Sequence, residues 1–585
     1  MPAASAFSRH SGPPYSRRLA AALSRLDALI DWERSARVVG AHRRMRVSSA
    51  PCGDLLARLG SPQTRLPVTV HITGSKGKGS VAALTAAALS AAGYRTGVYG
   101  SPHVASVTER VRIDGVPVGE EALAEALEAA LDARAAAVAD RKEAKEGGGS
   151  PAEEGKAGET LNVSETAAVD LTTPVSMVPN GGGAAQPLTD AAADATWFDV
   201  MTAAGFLTLA TAGVDAAAVE VGLGGALDST AVLASPVAVL TNVYDEHAAI
   251  IGPTLVDIAT EKAGIVSRGG RLITGVPPGS AVASAIERVS RLRHAAGVTY
   301  VSLEGDDLSI EERNAALVGE VLDQLGRNGH SVRRPVAAAG GAAVAGSNSQ
   351  DGCGGEPISS RLLDWPGVRA AAAAALPGRM ELFSVPPPPP AVDAAGSPTS
   401  LPVGAVWVGI DGGHVPDSAA AAAVAVGARV ADAGGPSAVT MVLGVGADKD
   451  AAGIVAALRG ALPGITRFVC TAVAPSDPYL PAEELAAVVR RVGGTAAVEI
   501  ATEPLAALEM ALAYARGGGD LPPCDPSWVL FSGSLHLAGA VRPAVAAAAM
   551  SPNECQTVAA GATPSKRGGG GVGADSMGAP GPLGP

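Results

Sequence analysis

The chain has 585 residues, enough for roughly two to four domains, and it combines 73 glycines and 43 prolines with only 3% aromatic residues. Its formal net charge of −13 argues against nucleic acid as a main partner, because phosphate backbones are bound by basic surfaces. The five cysteines are scattered without C-x-x-C spacing and indicate neither a zinc site nor a disulfide framework, and no stretch predicts a membrane span.

The N-terminal segment 1–18 contains serines, prolines and arginines but no acidic residue. This composition fits an organelle transit segment or a disordered cytosolic N-terminus. We therefore expect the protein in the cytoplasm, or in the mitochondrion or plastid. Leucines at three- and four-residue spacing then predict an amphipathic helix early in 19–65.

The stretch V-T-V-H-I-T-G-S-K-G-K-G-S (68–80) predicts a β-strand, a glycine loop and the start of a helix. Glycines let successive backbone N–H groups turn toward a phosphate, and the helix directs its positive end at the same anion. In such a loop Lys78 would reach the outer phosphates and Ser80 a bound Mg²⁺. The alternative is a tight strand-to-helix turn without a ligand. The candidate phosphate-binding residues are Gly74, Ser75, Lys76, Gly77, Lys78, Gly79 and Ser80.

A second strand is predicted over 96–99, followed by the loop Ser101-Pro102-His103. Ligands gather beyond the carboxyl ends of strands in an open parallel sheet, so this loop would face the phosphate loop. The alternative is an ordinary surface turn. A helix is predicted over 120–139, and the low-complexity segment 142–196 is predicted to be a disordered insertion.

Strands and helices alternate after this insertion, with strands predicted at 215–221, 237–243 and 271–274. Glu220 lies at the end of the first of these strands, before a glycine turn, where a carboxylate suits a Mg²⁺ site. The alternation is typical of a doubly wound, mostly parallel sheet. We assign 19–332 to this first α/β domain.

Residues 333–375 are rich in glycine, alanine and serine and are interpreted as a low-complexity linker. A second, smaller α/β domain is predicted over 376–550, with a proline-rich insertion at 386–402, and 551–585 is predicted to be a disordered tail. The strands predicted for the second domain are 406–411, 439–445, 468–471, 497–500 and 529–532.

Nine motifs occur in order along the chain. They are T-G-S-K-G-K-G-S (73–80), Y-G-S-P-H (99–103) with T-E-R-V-R-I-D-G (108–115), E-V-G-L-G-G (220–225) followed by Asp228, T-N-V-Y-D-E-H (241–247), E-K-A-G-I (261–265), L-P-G-R (376–379), D-G-G-H (411–414), A-D-K-D (447–450) and S-G-S-L (532–535). Together they resemble the folylpolyglutamate synthase/dihydrofolate synthase family of the Mur ligase superfamily. The stretch 245–252 and Ala226 are most similar to plant-type dihydrofolate synthases.

The resemblance implies a P-loop α/β domain, a Rossmann-like C-terminal domain and the activity of an ATP-dependent amide ligase. ATP would phosphorylate a pteroate or folate carboxylate, and the amine of L-glutamate would attack the acyl phosphate. Dihydrofolate synthase is the favoured activity; folylpolyglutamate synthase, or one enzyme with both activities, is the alternative. We expect a monomer whose partners are small molecules, without nucleic acid or membrane.

The resemblance also assigns roles to single residues. Lys78, Lys262 and His414 would act in catalysis, with Lys262 carbamylated. The loop 74–80, Arg379 and Asp411 would bind ATP. Two Mg²⁺ ions are expected, with Ser101, Glu220 and His247 as ligands. The residues implied for glutamate or pterin are Pro102, His103, His414 and Ser534.

Three positions depart from the family pattern. An arginine is usual at Ala226 or Leu227, and an asparagine is usual at Ala231 and at Val415. An asparagine side chain hydrogen-bonds a ligand and valine cannot. These departures suggest an alternative of another class, a catalytically degenerate ATP-binding module, whereas the presence of Lys78, Glu220, His247 and Lys262 supports the ligase.

Overall fold

The computed structural model describes residues 15–30, 48–147, 189–245, 251–303, 308–333, 355–386, 405–432, 438–473, 479–517 and 527–549. These residues form two α/β units, each built on one sheet. In the described part of the chain, no helix has both the length and the apolar character needed to cross a bilayer.

The first domain contains an eight-stranded sheet. Its strands are β1 (Val68–Thr73), β2 (Thr96–Tyr99), β3 (Val111–Ile113), β4 (Val116–Pro117), β5 (Ala216–Glu220), β6 (Val237–Leu240), β7 (Arg271–Thr274) and β8 (Gly297–Tyr300). Their order is β4-β3-β2-β5-β1-β6-β7-β8. The six strands from β2 to β8 in this order are parallel, whereas β3 and β4 form an antiparallel edge. All six residues of β1 are buried, which explains its apolar, β-branched sequence.

Helices cover both faces of this sheet. They are α1 (Arg17–Asp27), α2 (Ala50–Arg58), α3 (Lys78–Ala91), α4 (Glu120–Gly147), α5 (Trp197–Thr211), α6 (Leu255–Ala263), α7 (Ala281–Leu292), α8 (Ile310–Arg327) and α9 (Val368–Ala374). One apolar cluster joins α1, α2, α4 and α5 to the sheet, and two others join α3, α8 and α9, and α6 and α7. Helix α3 begins where β1 ends, so the glycine loop lies at the carboxyl edge of the central strand.

The second domain contains a six-stranded sheet. Its strands are β9 (Glu381–Val385), β10 (Val406–Ile410), β11 (Val439–Leu443), β12 (Ile465–Thr471), β13 (Ala497–Ala501) and β14 (Ser527–Ser532). Their order is β13-β12-β11-β14-β10-β9, and only β9 is antiparallel to its neighbour. The helices are α10 (Pro416–Asp432), α11 (Ala451–Ala461), α12 (Ala482–Val492), α13 (Pro504–Ala515) and α14 (Leu535–Ala548).

The two domains meet at the linker 376–380. The backbone N–H of Gly412 donates to the carbonyl of Gly378 at 2.8 Å, and Val104 of the first domain packs against an apolar cluster of the second. The carboxyl ends of β1 and β10 are therefore brought toward one cleft.

The predicted fold class, two α/β domains with mostly parallel sheets, is confirmed. Strands β3, β4, β8 and β9 were missed by the sequence patterns. Strand β8 lies at the sheet edge with all its residues partly exposed, so it has no buried apolar run to detect.

Three predicted segment boundaries were wrong. Helix α4 extends to Gly147 and residues 189–196 belong to the fold, so the insertion predicted at 142–196 is shorter; the guanidinium of Arg141 holds Asp190 and Asp194 at 2.7 and 2.8 Å. In the predicted linker 333–375, residues 355–375 contain α9 and contribute buried side chains to the first domain. Helix α1 begins inside the predicted segment 1–18, capped by Ser16. Residues 387–404 and 551–585 lie outside the described residues.

Candidate active site

The glycine loop owes its shape to backbone conformations that favour glycine. Gly74 and Gly77 have φ values of 145° and 83°. A side chain at Gly74 would also collide with the hydroxyl of Thr241. Helix α3 starts directly after Gly77, so its unpaired N–H groups and positive end face the loop. This arrangement suits a bound phosphate.

The segment after β6 fixes the loop. The carbonyl of Lys76 accepts hydrogen bonds from the Thr241 hydroxyl at 2.6 Å and the Asn242 amide at 3.0 Å, and its N–H donates to Asn242 Oδ1 at 2.8 Å. The Ser75 hydroxyl accepts from the N–H of Tyr244 at 3.0 Å. The loop is thus preorganised by the motif that begins at Thr241, a role that the sequence alone did not indicate.

Two lysine ammonium groups converge on one backbone carbonyl. Lys78 Nζ lies 3.0 Å and Lys262 Nζ lies 3.1 Å from the oxygen of Gly74. Lys262 is only 3% exposed. Both side chains line a narrow cleft formed by Thr73, Gly74, Lys78, Val221, Gly222, Leu223, Gly224 and Lys262. Gly74 and Lys262 are 188 positions apart in the sequence, and this contact joins the end of β1 to the end of helix α6.

Glu220 is buried at this edge, with 7% of its surface exposed. The parallel register places it beside Ile72, two residues before Gly74. Its Oε2 accepts the backbone N–H of Ser101 at 3.3 Å. Burial raises the pKa of this carboxyl, and the positive charge of Lys78 opposes the rise.

The turn 222–227 is held by two buried carboxylates. Glu261 accepts the backbone N–H groups of Gly225 at 3.3 Å and Leu227 at 2.9 Å. Asp228 accepts the N–H of Leu223 at 3.0 Å, and burial raises its pKa to about 6. The turn therefore keeps a fixed position beside Lys262.

The loop 101–106 faces the glycine loop across Glu220, as predicted. Ser101 and His103 are half-buried and Pro102 is exposed. His103 Nδ1 accepts the guanidinium of Arg110 at 3.0 Å, and this guanidinium lies over the ring of Trp197 at 4.8 Å. The bond assigns the Nδ1 lone pair to Arg110 and fixes the orientation of the His103 ring.

Four predicted residues come from the second domain, namely Arg379, Asp411, His414 and Ser534. Asp411 is buried at the end of β10 and accepts the N–H groups of Gly413 at 2.7 Å and Met380 at 3.0 Å. Arg379 is exposed and lies in the linker 376–380. Its positive charge opposes the rise in the pKa of Glu220 and of Asp411. Through Arg379, the linker interacts electrostatically with one carboxylate of each domain.

His414 lies near cations from both domains. Its Nδ1 donates to the carbonyl of Gly412 at 3.0 Å, which leaves Nε2 as the acceptor of a neutral ring. Burial, together with the charges of Lys76, Lys449 and Arg379, lowers the pKa of His414 to about 4. A neutral imidazole in this position can accept a proton.

Ser534 is buried and caps helix α14, accepting the N–H of His536 at 3.0 Å. The hydroxyl of Tyr479 lies 3.0 Å from Ser534 Oγ and 2.7 Å from His536 Nδ1. Tyr479 was missed by sequence reasoning, because no motif precedes it.

Asn314 of α8 was also missed. Its side chain packs on the glycine loop, since a Cβ at Gly77 would lie 2.6 Å from Asn314 Oδ1. A buried asparagine on the same helix face as Leu317, Val318 and Val321 is the signal that identifies it. His247, by contrast, lies outside the described residues, which contain no cluster of three or more His, Cys, Asp and Glu side chains suited to a metal.

Comparisons with known proteins find curated relatives and solved structures that are similar to this chain. The dihydrofolate synthase/folylpolyglutamate synthase of Mycobacterium tuberculosis is 30% identical over 361 residues, which cover 59% of this chain and 62% of that protein. The chain is similar to members of the folylpolyglutamate synthase/dihydrofolate synthase family. Its matches span between 27% and 62% of the length of the first three curated relatives. No protein-family model matches the chain.

Solved structures of the family have the same fold. Folylpolyglutamate synthase of M. tuberculosis complexed with ADP and AMPPCP matches with a TM-score of 0.57 and 24% identity, over 85% of this chain and 95% of that one. E. coli FolC in complex with DHPP and ADP matches with a TM-score of 0.57 and 22% identity, over 92% of this chain and 99% of that one. The resemblance to plant-type members stays a prediction.

Proposed function

We propose that the protein is an ATP-dependent amide ligase that joins L-glutamate to dihydropteroate and forms ADP and phosphate. The observation that carries this proposal is the convergence of Lys78 and Lys262 on the carbonyl of Gly74, at the mouth of a glycine loop. Similarity to the dihydrofolate synthase/folylpolyglutamate synthase of Mycobacterium tuberculosis supports the same activity.

The proposed reaction needs positive charge around a transferred phosphoryl group. The acceptor carboxylate attacks the γ-phosphorus of ATP, and the glutamate amine then displaces phosphate from the acyl phosphate. Lys78, the N–H groups of the glycine loop and Arg379 would stabilise the negative charge that develops on the phosphoryl oxygens. The charge of Arg379 opposes the rise in the pKa of Glu220, which supports this role.

The surroundings of Glu220 fit a divalent cation. Its carboxylate is buried beside two glycines, and a Cβ at Gly79 or Gly100 would lie only 3.5 or 3.2 Å from Glu220 Oε2. Glu220 and Ser101, with His247, would hold Mg²⁺, and two ions are proposed in all. When bound, Mg²⁺ neutralises charge on the phosphates.

We propose that Lys262 is carbamylated in the active protein. Two ammonium groups that share the Gly74 carbonyl repel each other, and the repulsion is strong for a side chain as buried as Lys262. Addition of CO₂ to its neutral amine would replace the cation with a carboxylate. That carboxylate would attract Lys78 and offer oxygen ligands to the second Mg²⁺.

His414 is proposed to receive a proton from the glutamate amine. A neutral ring with a lone pair on Nε2 suits this role, and its lowered pKa of about 4 keeps it neutral near pH 7. Pro102, His103 and Ser534 are proposed as contacts of the glutamate or pterin. The bond of the neighbouring Ser101 N–H to Glu220 supports the assignment of Pro102 and His103.

The choice of dihydropteroate rests on the sequence at 245–252 and Ala226. A test supplies purified protein with ATP, Mg²⁺, L-glutamate and either dihydropteroate or tetrahydrofolate, and follows phosphate release. Turnover with dihydropteroate alone supports the proposal, whereas turnover with tetrahydrofolate alone indicates folylpolyglutamate synthase. Turnover with both indicates a bifunctional enzyme. Nucleotide binding without turnover supports the degenerate module suggested by Leu227, Ala231 and Val415.

The variant Lys78→Ala tests the phosphate loop. We expect a loss of turnover of at least about a thousandfold, because a charge aimed at the transferred phosphoryl group is removed. The exposed Lys142 of α4 provides the matched control, and Lys142→Ala should retain full turnover. Full activity of Lys78→Ala would contradict the assignment.

A further inference from the structure

Four charged side chains form a cluster where the two domains meet. Glu109 and Arg112 belong to the first domain, and Glu381 and Arg542 to the second. Arg542 donates to Glu381 from Nε at 3.0 and 2.8 Å and from Nη2 at 2.8 Å. Arg112 Nη2 lies 4.0 Å from Glu109 Oε2. Each arginine is also attracted by the carboxylate of the other pair, which joins the two pairs electrostatically.

Each carboxylate of this junction cluster also holds a backbone segment of the candidate active site. Glu109 accepts the N–H groups of Val104, Ala105 and Ser106 at 2.8, 3.1 and 3.0 Å. Glu381 Oε2 accepts the N–H of Gly378 at 2.6 Å. The first segment is the loop 101–106, and the second is the linker that carries Arg379.

The two segments touch each other and helix α14. A Cβ at Gly378 would lie 3.2 Å both from Val104 Cγ1 and from Ala538 Cβ. Ala538 and Arg542 are four residues apart in α14, so they lie on one face of this helix. The same face therefore contacts the linker by packing and by the ion pair.

The backbone of the linker 376–380 has an unfavourable conformation that these contacts stabilise. Gly378 and Met380 have φ values of 67° and 49°, both in the left-handed region, which a non-glycine residue such as Met380 rarely adopts. Asp411 accepts the N–H of Met380 and Glu381 accepts that of Gly378. Arg379 lies between these two anchored residues, so its direction depends on both carboxylates.

We propose that Arg542 is a positioning residue, which fixes Glu381 and thereby the linker, and so directs Arg379 at the nucleotide phosphates. This inference rests on the proposed function, because that function assigns Arg379 to ATP. Among the described residues, Arg542 forms its hydrogen bonds with Glu381, which is not a predicted substrate-binding residue. Its effect is therefore expected on nucleotide affinity and on linker order together.

The test uses Arg542→Met in the full-length protein, with calorimetric titration of Mg·ADP. We expect ADP to bind about tenfold more weakly, because a displaced Arg379 loses its alignment with the phosphates. Arg542→Lys should recover part of the affinity. Trypsin cleavage after the exposed Arg379, quantified by mass spectrometry, should be faster in Arg542→Met.

The matched control is Arg467→Met. Arg467 forms an ion pair with Glu499 at 2.9 Å in the same domain, between β12 and β13 at the sheet edge opposite β9. This variant should leave both ADP affinity and cleavage after Arg379 as in the unaltered protein. If Arg542→Met behaves like this control, the positioning role is wrong.

A double-mutant cycle decides whether Arg542 acts through Arg379. In an Arg379→Gln background, Arg542→Met should cause no further loss of ADP affinity; additive losses would overturn the proposal. An unaltered protein that binds no ADP would contradict the proposed function instead. The cleavage measurement would then decide the positioning role by itself, because it requires no nucleotide.

Discussion

His71 lies in β1, three residues before Gly74, and none of its surface is exposed. Its Nε2 is 2.9 Å from the Thr230 hydroxyl, which in turn donates to Asp228. Since that hydroxyl proton is given to Asp228, His71 must donate from Nε2 and is the neutral tautomer. Burial lowers the pKa of His71 to about 3. The central strand therefore contains a histidine that resists protonation.

The buried His71 predicts a loss of stability in acid. Its pKa in the folded state lies below the unfolded value of 6.5, so the unfolded state binds more protons as the pH falls from 6.5 toward 3. At about 1.4 kcal/mol per pH unit, His71 should cost about 2 kcal/mol of unfolding free energy between pH 6.5 and 5. Asp228 has the opposite effect on the unfolding free energy. Its raised pKa lets the folded state bind a proton near pH 6, which stabilises the folded state as the pH falls.

Comparison with the variant His71→Gln isolates the contribution of His71 to the pH dependence of the unfolding free energy. The unfolding free energy of the unaltered protein minus that of the variant, measured by urea denaturation, should be about 2 kcal/mol smaller at pH 5 than at pH 7. The exposed His294 supplies the control, and His294→Gln should give the same difference at both pH values. A pH-independent difference for His71→Gln would contradict the role given to its burial.

At the scale of elements, the turn 222–227 and helix α6 form one unit. The N–H of Ala226 donates to the carbonyl of Glu261 at 2.9 Å, and a Cβ at Gly225 would lie 2.5 Å from that carbonyl and 2.8 Å from Lys262 Cα. Only glycine allows this approach. The turn therefore sets the position of the helix end that presents Lys262.

Gly225→Ala should move the end of α6 away from the turn and displace Lys262 from the Gly74 carbonyl. We expect at least about tenfold lower ligase turnover, and a loss of about 1–3 kcal/mol of unfolding free energy from overpacking. Gly119→Ala is the control, because nothing lies within 4 Å of a Cβ at Gly119. Equal turnover of the two variants would show that α6 does not depend on this contact.

Elements that carry a long apolar run or a glycine motif were predictable. Strand β1 and the glycine loop were identified because buried β-branched residues lead directly into Gly74 and Lys78. Strand β8 was missed because its side chains are only partly buried at the sheet edge. Local sequence patterns reveal buried apolar runs and positions that require glycine. An edge strand such as β8 shows few of either.

Contacts between distant elements were not predictable. The bonds of Asn242 to Lys76 and the packing of Asn314 on Gly77 join residues that no spacing relates. The family resemblance named Lys262 and Glu220, but only the parallel register of β5 with β1 brings Glu220 beside the glycine loop. Such contacts depend on strand order, which a single sequence does not specify.

At the scale of the whole molecule, one glycine controls how closely the domains meet. A side chain at Gly539 of α14 would collide with the carbonyl oxygen of Val104 in the first domain. Val104 packs against the apolar cluster of the second domain at this point. Close contact of the two backbones thus depends on Gly539.

Gly539→Ala should separate the domains without unfolding either one, because alanine favours the helix by about 1 kcal/mol. We expect turnover to fall at least about tenfold, since a small displacement misaligns groups from opposite sides of a cleft. Thermal unfolding should change from one transition to two. Gly460→Ala in α11, where no atom lies within 4 Å of the new Cβ, should change neither property. Normal turnover of Gly539→Ala would contradict the requirement for close contact.

In the described part of the chain, the backbone passes from the first sheet to the second only once. Every described strand of the first sheet lies within 68–300, its covering helices end with α9 at Ala374, and the second sheet begins at Glu381. On a ribosome, the first domain therefore emerges with its described strands and helices complete before the second domain is made. No described strand of the first sheet needs a partner from the second domain, so pairing within the first sheet can be completed before the second domain emerges.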